Sequence, residues 1–390
     1  MKAAPRQVCK PCVHLKASLW HLLDMSHLPK RLALAVLATF IGVSSAAAQS
    51  REPREIIADL RSHSAPGSIE ERIAIPLGGI EQWVTIRGVD QRNPVLIYVH
   101  GGPGRPNMPA AWPFQRAWED YFTVVEWDQR GAGLTYARAT DEARSAMIET
   151  LSFDRVTEDA VELMAYLRER FGQERVFMLG HSWGGAVAFN AAMRRPDWVH
   201  AYVGLSPLLN MQENERVSYE MVLAEARRRN DAAAIAELEA LGPYPGDLTM
   251  ERLGVERGYV MRYGGLAAYR DNASHFFNAT FLSPDYEPEE RNRINDGSLA
   301  TVEHLLPELA QIDVTTVRRA PFPVVMLLGR HDMSTPSQVA VDWLARLDAP
   351  VERIVWFEHS AHLAPIEEPG RVLMALVEQV RPLAERRRRR

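Results

Sequence analysis

The chain has 390 residues, of which 46% are apolar and 24% charged, with 24 glycines, 25 prolines and two cysteines. That composition suits one large α/β unit with an insertion and excludes a disordered, collagen-like or disulfide-stapled protein. A formal charge of −5 also argues against a nucleic-acid partner, because such binders work by neutralising phosphates.

The charge is unevenly placed. All four lysines (Lys2, Lys10, Lys16 and Lys30) fall near the start, and every later cation of this kind is arginine. Lys30 and Arg31 precede an apolar run, Leu32 to Val43, and Ala46-Ala47-Ala48 follows before Gln49. This is the pattern of an export signal with a small-residue cleavage site. A helix of that length rises only about 18 Å, short of the roughly 30 Å of a hydrocarbon layer. Residues 1–48 are therefore expected to be a leader that is removed, with Met25 the expected start. The remaining chain would be exported, periplasmic or secreted, without stable membrane insertion. It would hold 39 cations against 49 acids and no cysteine, since Cys9 and Cys12 lie in the leader. Arg386 to Arg390 close the chain and read as a solvated basic tail, 384–390.

Beyond the leader, strands alternate with helices. Residues 70–89 carry a hairpin pattern around Leu77-Gly78-Gly79. Val95 to Val99 is a short apolar run that ends in His100-Gly101-Gly102-Pro103-Gly104. Phe122 to Trp127 is the next, ending in Asp128-Gln129-Arg130-Gly131. Helical spacing over 154–171 (Val156, Ala160, Leu163, Met164, Leu167) stops at Phe171-Gly172. Val176 to Leu179 and a helix around Ala186 to Met193 follow, then Tyr202 to Leu205, Val324 to Leu328 and Ile354 to Phe357. Fully apolar strands separated by helices predict a mostly parallel sheet flanked by helices on both faces. Such sheets carry their chemistry at the carboxyl ends of the strands. Residues 49–206 and 318–383 are the two parts of this core. Between them, 207–317 read as several helices holding nineteen acids and ten arginines, an acidic helical cap inserted after the sixth strand.

The chemistry is concentrated in one motif and two later residues. Gly180-His181-Ser182-Trp183-Gly184 is G-x-S-x-G between a strand and a helix. A nucleophile on that turn needs a strained backbone, and small flanking residues let strand and helix approach. The turn also puts Ser182 at a helix N-terminus, where unpaired N–H groups stabilise developing negative charge. Serine needs a base, and the base an orienting acid, in the chain order Ser, acid, His. Asp332 lies just beyond the run Val324–Leu328, and His362 beyond the last run. His359 competes with His362, whose later loop position lets its ring reach back. Asp332 also suits the bland role of capping the helix near Pro336. His181 is expected to point away from the serine and to pack or support. His100-Gly101-Gly102-Pro103-Gly104 supplies the other half of an oxyanion hole: the N–H of Gly102 or Gly101, with that of Trp183. As a phosphate loop it fails, lacking the following Lys-Ser/Thr. No H-E-x-x-H occurs, and His359 with His362 make only two ligands, so neither metal nor cofactor is expected.

These stretches, with Trp127 to Gly133 and Gly329-Arg330-His331-Asp332, resemble the proline iminopeptidase (prolyl aminopeptidase) family of α/β-hydrolases. The resemblance covers about 70–205 and 320–383 and implies a Ser182, Asp332, His362 triad. It departs in the elbow, where His181 stands at a position often glycine. The family recognises a free N-terminal amine through acids of its cap. The segment here that aligns with them is Gln212-Glu213-Asn214-Glu215-Arg216, making Glu213 and Glu215 the candidate ligands. Tyr219, Tyr263, Phe276 and Phe277 are candidate walls for a proline-sized pocket, or core. The function implied is release of N-terminal proline from short peptides by acyl transfer. An esterase or lactonase acting on a neutral acyl compound is the alternative, and a non-catalytic ligand binder the remaining one. Haloalkane dehalogenases and epoxide hydrolases carry Asp where this chain has Ser182.

Overall fold

A computed structural model describes residues 51–385; the leader, Cys9, Cys12 and the terminal arginines 386–390 lie outside the described residues. Eight strands form one sheet in the order β1-β2-β4-β3-β5-β6-β7-β8. They are β1 (Ile69–Leu77), β2 (Ile80–Gly88), β3 (Val95–Val99), β4 (Thr123–Trp127), β5 (Val176–Ser182), β6 (Val199–Pro207), β7 (Val324–Gly329) and β8 (Glu352–Phe357). β2 runs antiparallel to β1 and β4, and every other pair is parallel. The β1–β2 turn is the pair Gly78-Gly79, both at positive φ, which a two-residue hairpin loop requires.

The central strands read as unbroken apolar runs because both sheet faces are covered. Along β3, Val95, Ile97 and Val99 enter one core while Leu96 and Tyr98 enter the other. β7 alternates in the same way, with Val324, Met326 and Leu328 on the first face and Val325 and Leu327 on the second. The first core is closed by the helices Phe153–Phe171 and Trp183–Arg194, the second by Trp118, Phe122 and the helix Pro369–Ala375. Helix Phe153–Phe171 starts where the Ser152 hydroxyl accepts the Arg155 N–H and ends at Gly172 in the left-handed region.

All of the insertion's helices lie between β6 and β7, from Met211–Arg228 to Ile294–Leu309. Its neck is stitched by backbone bonds, Met211 N–H to Ile312 O at 2.9 Å and Val314 N–H to Leu209 O at 2.6 Å. The cap has its own small core of Val222, Ala226, Ala234, Leu238, Tyr259, Val260 and Tyr263. Several helices have no counterpart in the sequence reading, among them Asp141–Glu149, Pro369–Ala375 and, first in the chain, Pro53–Arg61. Pro53–Arg61 is held against the cap by polar bonds rather than by an apolar face: Arg54 Nε donates to Ser283 O at 2.8 Å, and Arg61 pairs with Asp285 at 2.6 Å. No helix among the described residues is long and apolar enough to cross a membrane.

Candidate active site

Parallel pairing brings the carboxyl ends of β3, β5, β7 and β8 to one edge, and every candidate catalytic residue follows one of them. Ser182 ends β5 at φ +55° and ψ −127°, a conformation that costs a non-glycine residue of order 1–3 kcal/mol and persists only when its surroundings enforce it. They do so by proximity. A Cβ at Gly180 would sit 2.3 Å from Gly184 O, and one at Gly184 would sit 2.0 Å from Val99 O. No side chain fits at either place, so strand and helix meet at a sharp bend with the half-buried Ser182 on its apex. Trp183 opens the helix, where its N–H has no partner within the helix.

Asp332 and His362 are joined. His362 Nδ1 lies 3.0 Å from Asp332 Oδ2, with both side chains buried. The other carboxylate oxygen, Oδ1, accepts the backbone N–H groups of Ser334 and Thr335, each at 2.8 Å. Asp332 thus fixes the turn at Ser334 and Thr335 and also holds the imidazole, but it does not cap helix Ser337–Leu344, which begins after Pro336 with no side-chain cap. The loops carrying the pair are tied by Arg330 N–H to Phe357 O and His331 N–H to Ser360 O. His359 lies on the exposed side of its loop.

His362 is brought to the elbow by His181. The two rings are 4.7 Å apart, and His181 Nε2 donates to the His362 carbonyl at 3.0 Å. Burial, and secondly the neighbouring His362, push the His181 imidazole down to about 3, so it stays a neutral donor. The supporting role expected of His181 thus takes a definite form. Thr335 is a member that sequence reasoning missed. Its hydroxyl donates to Ser206 O at 2.8 Å and lies 3.0 Å from Asp332 Oδ2 and 3.1 Å from His362 Nδ1.

The glycine loop after β3 lies against the serine. A Cβ on Gly101 would stand 2.8 Å from Ser182 Cβ and 3.4 Å from its Oγ, so only glycine leaves room for a substrate there. Gly102, at φ +117°, is exposed. The loop is braced from below. His100 Nδ1 donates to Gly101 O at 2.8 Å, Gln129 Nε2 to His100 O at 2.9 Å, and Trp183 Nε1 to Gln129 Oε1 at 3.2 Å. Burial pushes the His100 imidazole down to about 4, keeping it neutral. The glycine loop, the Asp128-Gln129-Arg130-Gly131 segment and the elbow are one hydrogen-bonded unit.

The cap acids separate. Glu213 is on the exposed first turn of Met211–Arg228, where Arg216 pairs with it at 2.6 Å and lowers its carboxyl; the structure does not bring it into the site. Glu215 is fully buried, accepting from Tyr244 Oη at 2.8 Å and Asn214 Nδ2 at 3.1 Å and paired with Arg257. Arg257 also pairs with Glu256, a second buried carboxylate that the sequence reading did not single out, whose carboxyl burial pushes up. Two carboxylates thus share one guanidinium. The cluster leans on the acid loop through Asn214 Nδ2 to Ser334 O at 3.0 Å and through Ser218 Oγ to Met333 O. Tyr219 and Tyr263 pack in the cap core. Phe276 and Phe277 pack instead with Leu363, next to His362, and Phe277 lies under the guanidinium of Arg105, one residue past the glycine loop.

Residues 94–369 match the family described as alpha/beta hydrolase fold. The chain is 29% identical over 301 residues to a probable aminopeptidase of Bacillus subtilis (strain 168), covering 76% of this chain and 92% of that protein. It is 25% identical over 288 residues to the proline iminopeptidase of Heyndrickxia coagulans, covering 72% and 88%. The crystal structure of a proline iminopeptidase-related protein from Thermus thermophilus superposes with a TM-score of 0.55 at 21% identity, over 81% of this chain and 98% of that one. The family match spans more than half of the chain, which belongs to the α/β-hydrolase fold family.

Proposed function

We propose that the protein is a serine hydrolase that releases an N-terminal proline, or a similar small residue, from short peptides through an acyl-enzyme. The observation that carries this reading is the 3.0 Å bond between His362 Nδ1 and Asp332 Oδ2, in a loop packed on the residue beside Ser182. With Nδ1–H engaged, Nε2 is free to take the Ser182 proton as Oγ attacks the substrate carbonyl carbon. The N–H groups of Trp183 and of Gly101 or Gly102 receive the oxyanion, each typically worth about 3–4 kcal/mol of barrier. Collapse breaks the C–N bond, and Nε2 returns the proton to the leaving amine. Water then enters, gives a proton to the same nitrogen, and the resulting hydroxide attacks the ester carbon. When the C–O bond breaks, the proton passes back to Ser182.

The choice of an amine-bearing substrate rests on the cap. Glu215 and Glu256 share the single guanidinium of Arg257, and a substrate ammonium is the cation that would hold the second carboxyl ionised against the burial that pushes it up. The relatives named aminopeptidase and proline iminopeptidase favour the same class. We place the reaction outside the cytoplasm on the strength of the leader pattern in residues 25–48.

Proline naphthylamide, p-nitrophenyl acetate and p-nitrophenyl butyrate, compared on the same preparation, test the proposal. Turnover of the amide is expected. Amide hydrolysis at background with both esters cleaved would make the protein an esterase or lactonase. Glu215→Gln is expected to lower kcat/KM for proline naphthylamide about 30-fold, the effect of unpairing a buried charge contact worth roughly 2 kcal/mol. Its loss on p-nitrophenyl butyrate is expected to be smaller. Glu213→Gln is expected to change neither.

A further inference from the structure

The cap is acidic overall, yet three of its ten arginines converge on one cavity. An open cavity of about 410 Å³ is lined by Arg229, Arg262 and Arg270, with Tyr263, Tyr269 and a single carboxylate, Asp271, among the remaining walls. Two of the guanidiniums are partly committed. Arg229 pairs with Glu225 at 2.6 Å, and Arg262 approaches Asp231 at 3.6 Å. Arg270 makes no ion pair among the described residues and is exposed. Arg270 is thus, among the described residues, the guanidinium of the three left without an ion pair, and an anion in the cavity would meet it beside two others only partly neutralised.

The cavity adjoins the catalytic edge. Gly265 O accepts Met333 N–H at 3.1 Å, and Leu266 O accepts the N–H of His362 itself at 3.2 Å. Tyr269, three residues on, lies with its hydroxyl 2.8 Å from His331 Nε2, on the residue before Asp332. Tyr269 sits at φ +61°, an outlier for a bulky side chain, which marks a segment held in place by its surroundings. Three residues of chain span at most about 10 Å. That is also the reach of an extended peptide from a scissile bond to a carboxylate three residues later.

We infer that this arginine-lined cavity receives the C-terminal carboxylate of short peptide substrates, so that the enzyme selects peptides with a free end a few residues beyond the cleaved bond. The inference rests on the aminopeptidase reading and names its substrate class: tri- and tetrapeptides with an unblocked carboxyl terminus.

The test compares Pro-Ala-Ala-Ala with its C-terminal amide on the wild-type protein and on Arg262→Gln/Arg270→Gln. The wild-type kcat/KM ratio of acid to amide is expected to be about 5–10, the size of a solvent-accessible charge contact, and to fall towards 1 in the double variant. Arg270→Lys, which keeps the charge, is expected to retain part of the preference. A wild-type ratio of 1, or a preference that survives the double substitution, overturns the proposal. If proline naphthylamide is not cleaved at all, the aminopeptidase reading fails on its own. Calorimetric titration with trialanine against trialanine amide then decides the cavity's role independently, since equal binding overturns it and tighter binding of the acid sustains it.

Discussion

Asp332→Asn is expected to lower kcat by about 10,000-fold with little change in KM or stability, the loss that follows when a triad imidazole is held in the wrong tautomer. The direction follows from the neighbours. Oδ1 accepts two backbone N–H groups, from Ser334 and Thr335, so the asparagine oxygen must occupy that position and the NH2 must take the place of Oδ2. One of its protons then points at His362 Nδ1 and the other at Thr335 Oγ1, whose own proton already goes to Ser206 O. Every polar group remains satisfied, which preserves the fold. His362, however, now accepts at Nδ1 and carries its proton on Nε2, where it cannot take one from Ser182. Steady-state kinetics on proline naphthylamide measures the effect, and a decrease of less than tenfold would contradict the assigned roles.

Arg130→Met is expected to destabilise the protein by about 3 kcal/mol without touching the proposed catalytic residues. Arg130 Nε and Asp159 Oδ2 are 3.0 Å apart in the core, with both side chains essentially inaccessible. The Arg130 Nη2 group also donates to Gly78 O at 2.9 Å, tying the β1–β2 turn to helix Phe153–Phe171. Removing one partner of a buried pair costs about 3–5 kcal/mol, mostly from the charge left behind. The lower end applies because Gln82 Nε2, at 2.8 Å, and Arg155 Nε, at 3.0 Å, still reach Asp159. Guanidinium denaturation gives the value, and a change under 1 kcal/mol would mean that Arg155 alone neutralises Asp159.

The sheet and the edge that carries the proposed catalytic residues were legible because backbone geometry there dictates residue type. Burial on both faces makes β3 and β7 continuous apolar runs. The turn at Gly78-Gly79 and the close approach at Gly180 and Gly184 admit only glycine, so these features appear directly in the sequence. The cap obeys weaker constraints. On Met211–Arg228 the buried positions include 211, 215, 218, 222 and 226, a helical stripe that places Glu215 inside and Glu213 outside. Polar residues at 214, 215 and 218 disguise the stripe, and Val222 and Ala226 further along are the signal that could have separated the two acids. Glu256 and Thr335 had no such signal. Glu256 pairs with its neighbour Arg257, but what makes that pair notable is Glu215, distant in sequence, on the same guanidinium; Thr335 lies in a turn whose geometry is set by Asp332. Helix Pro53–Arg61 escaped because arginine contacts, not an apolar face, hold it to the cap.

A fluorophosphonate probe followed by peptide mass analysis tests the proposed nucleophile most directly. One adduct is expected on the folded protein, on the peptide containing Ser182, absent in Ser182→Ala and greatly slowed in His362→Ala. Stoichiometric labelling at a different serine, or an unlabelled protein that still hydrolyses its substrate, would contradict it.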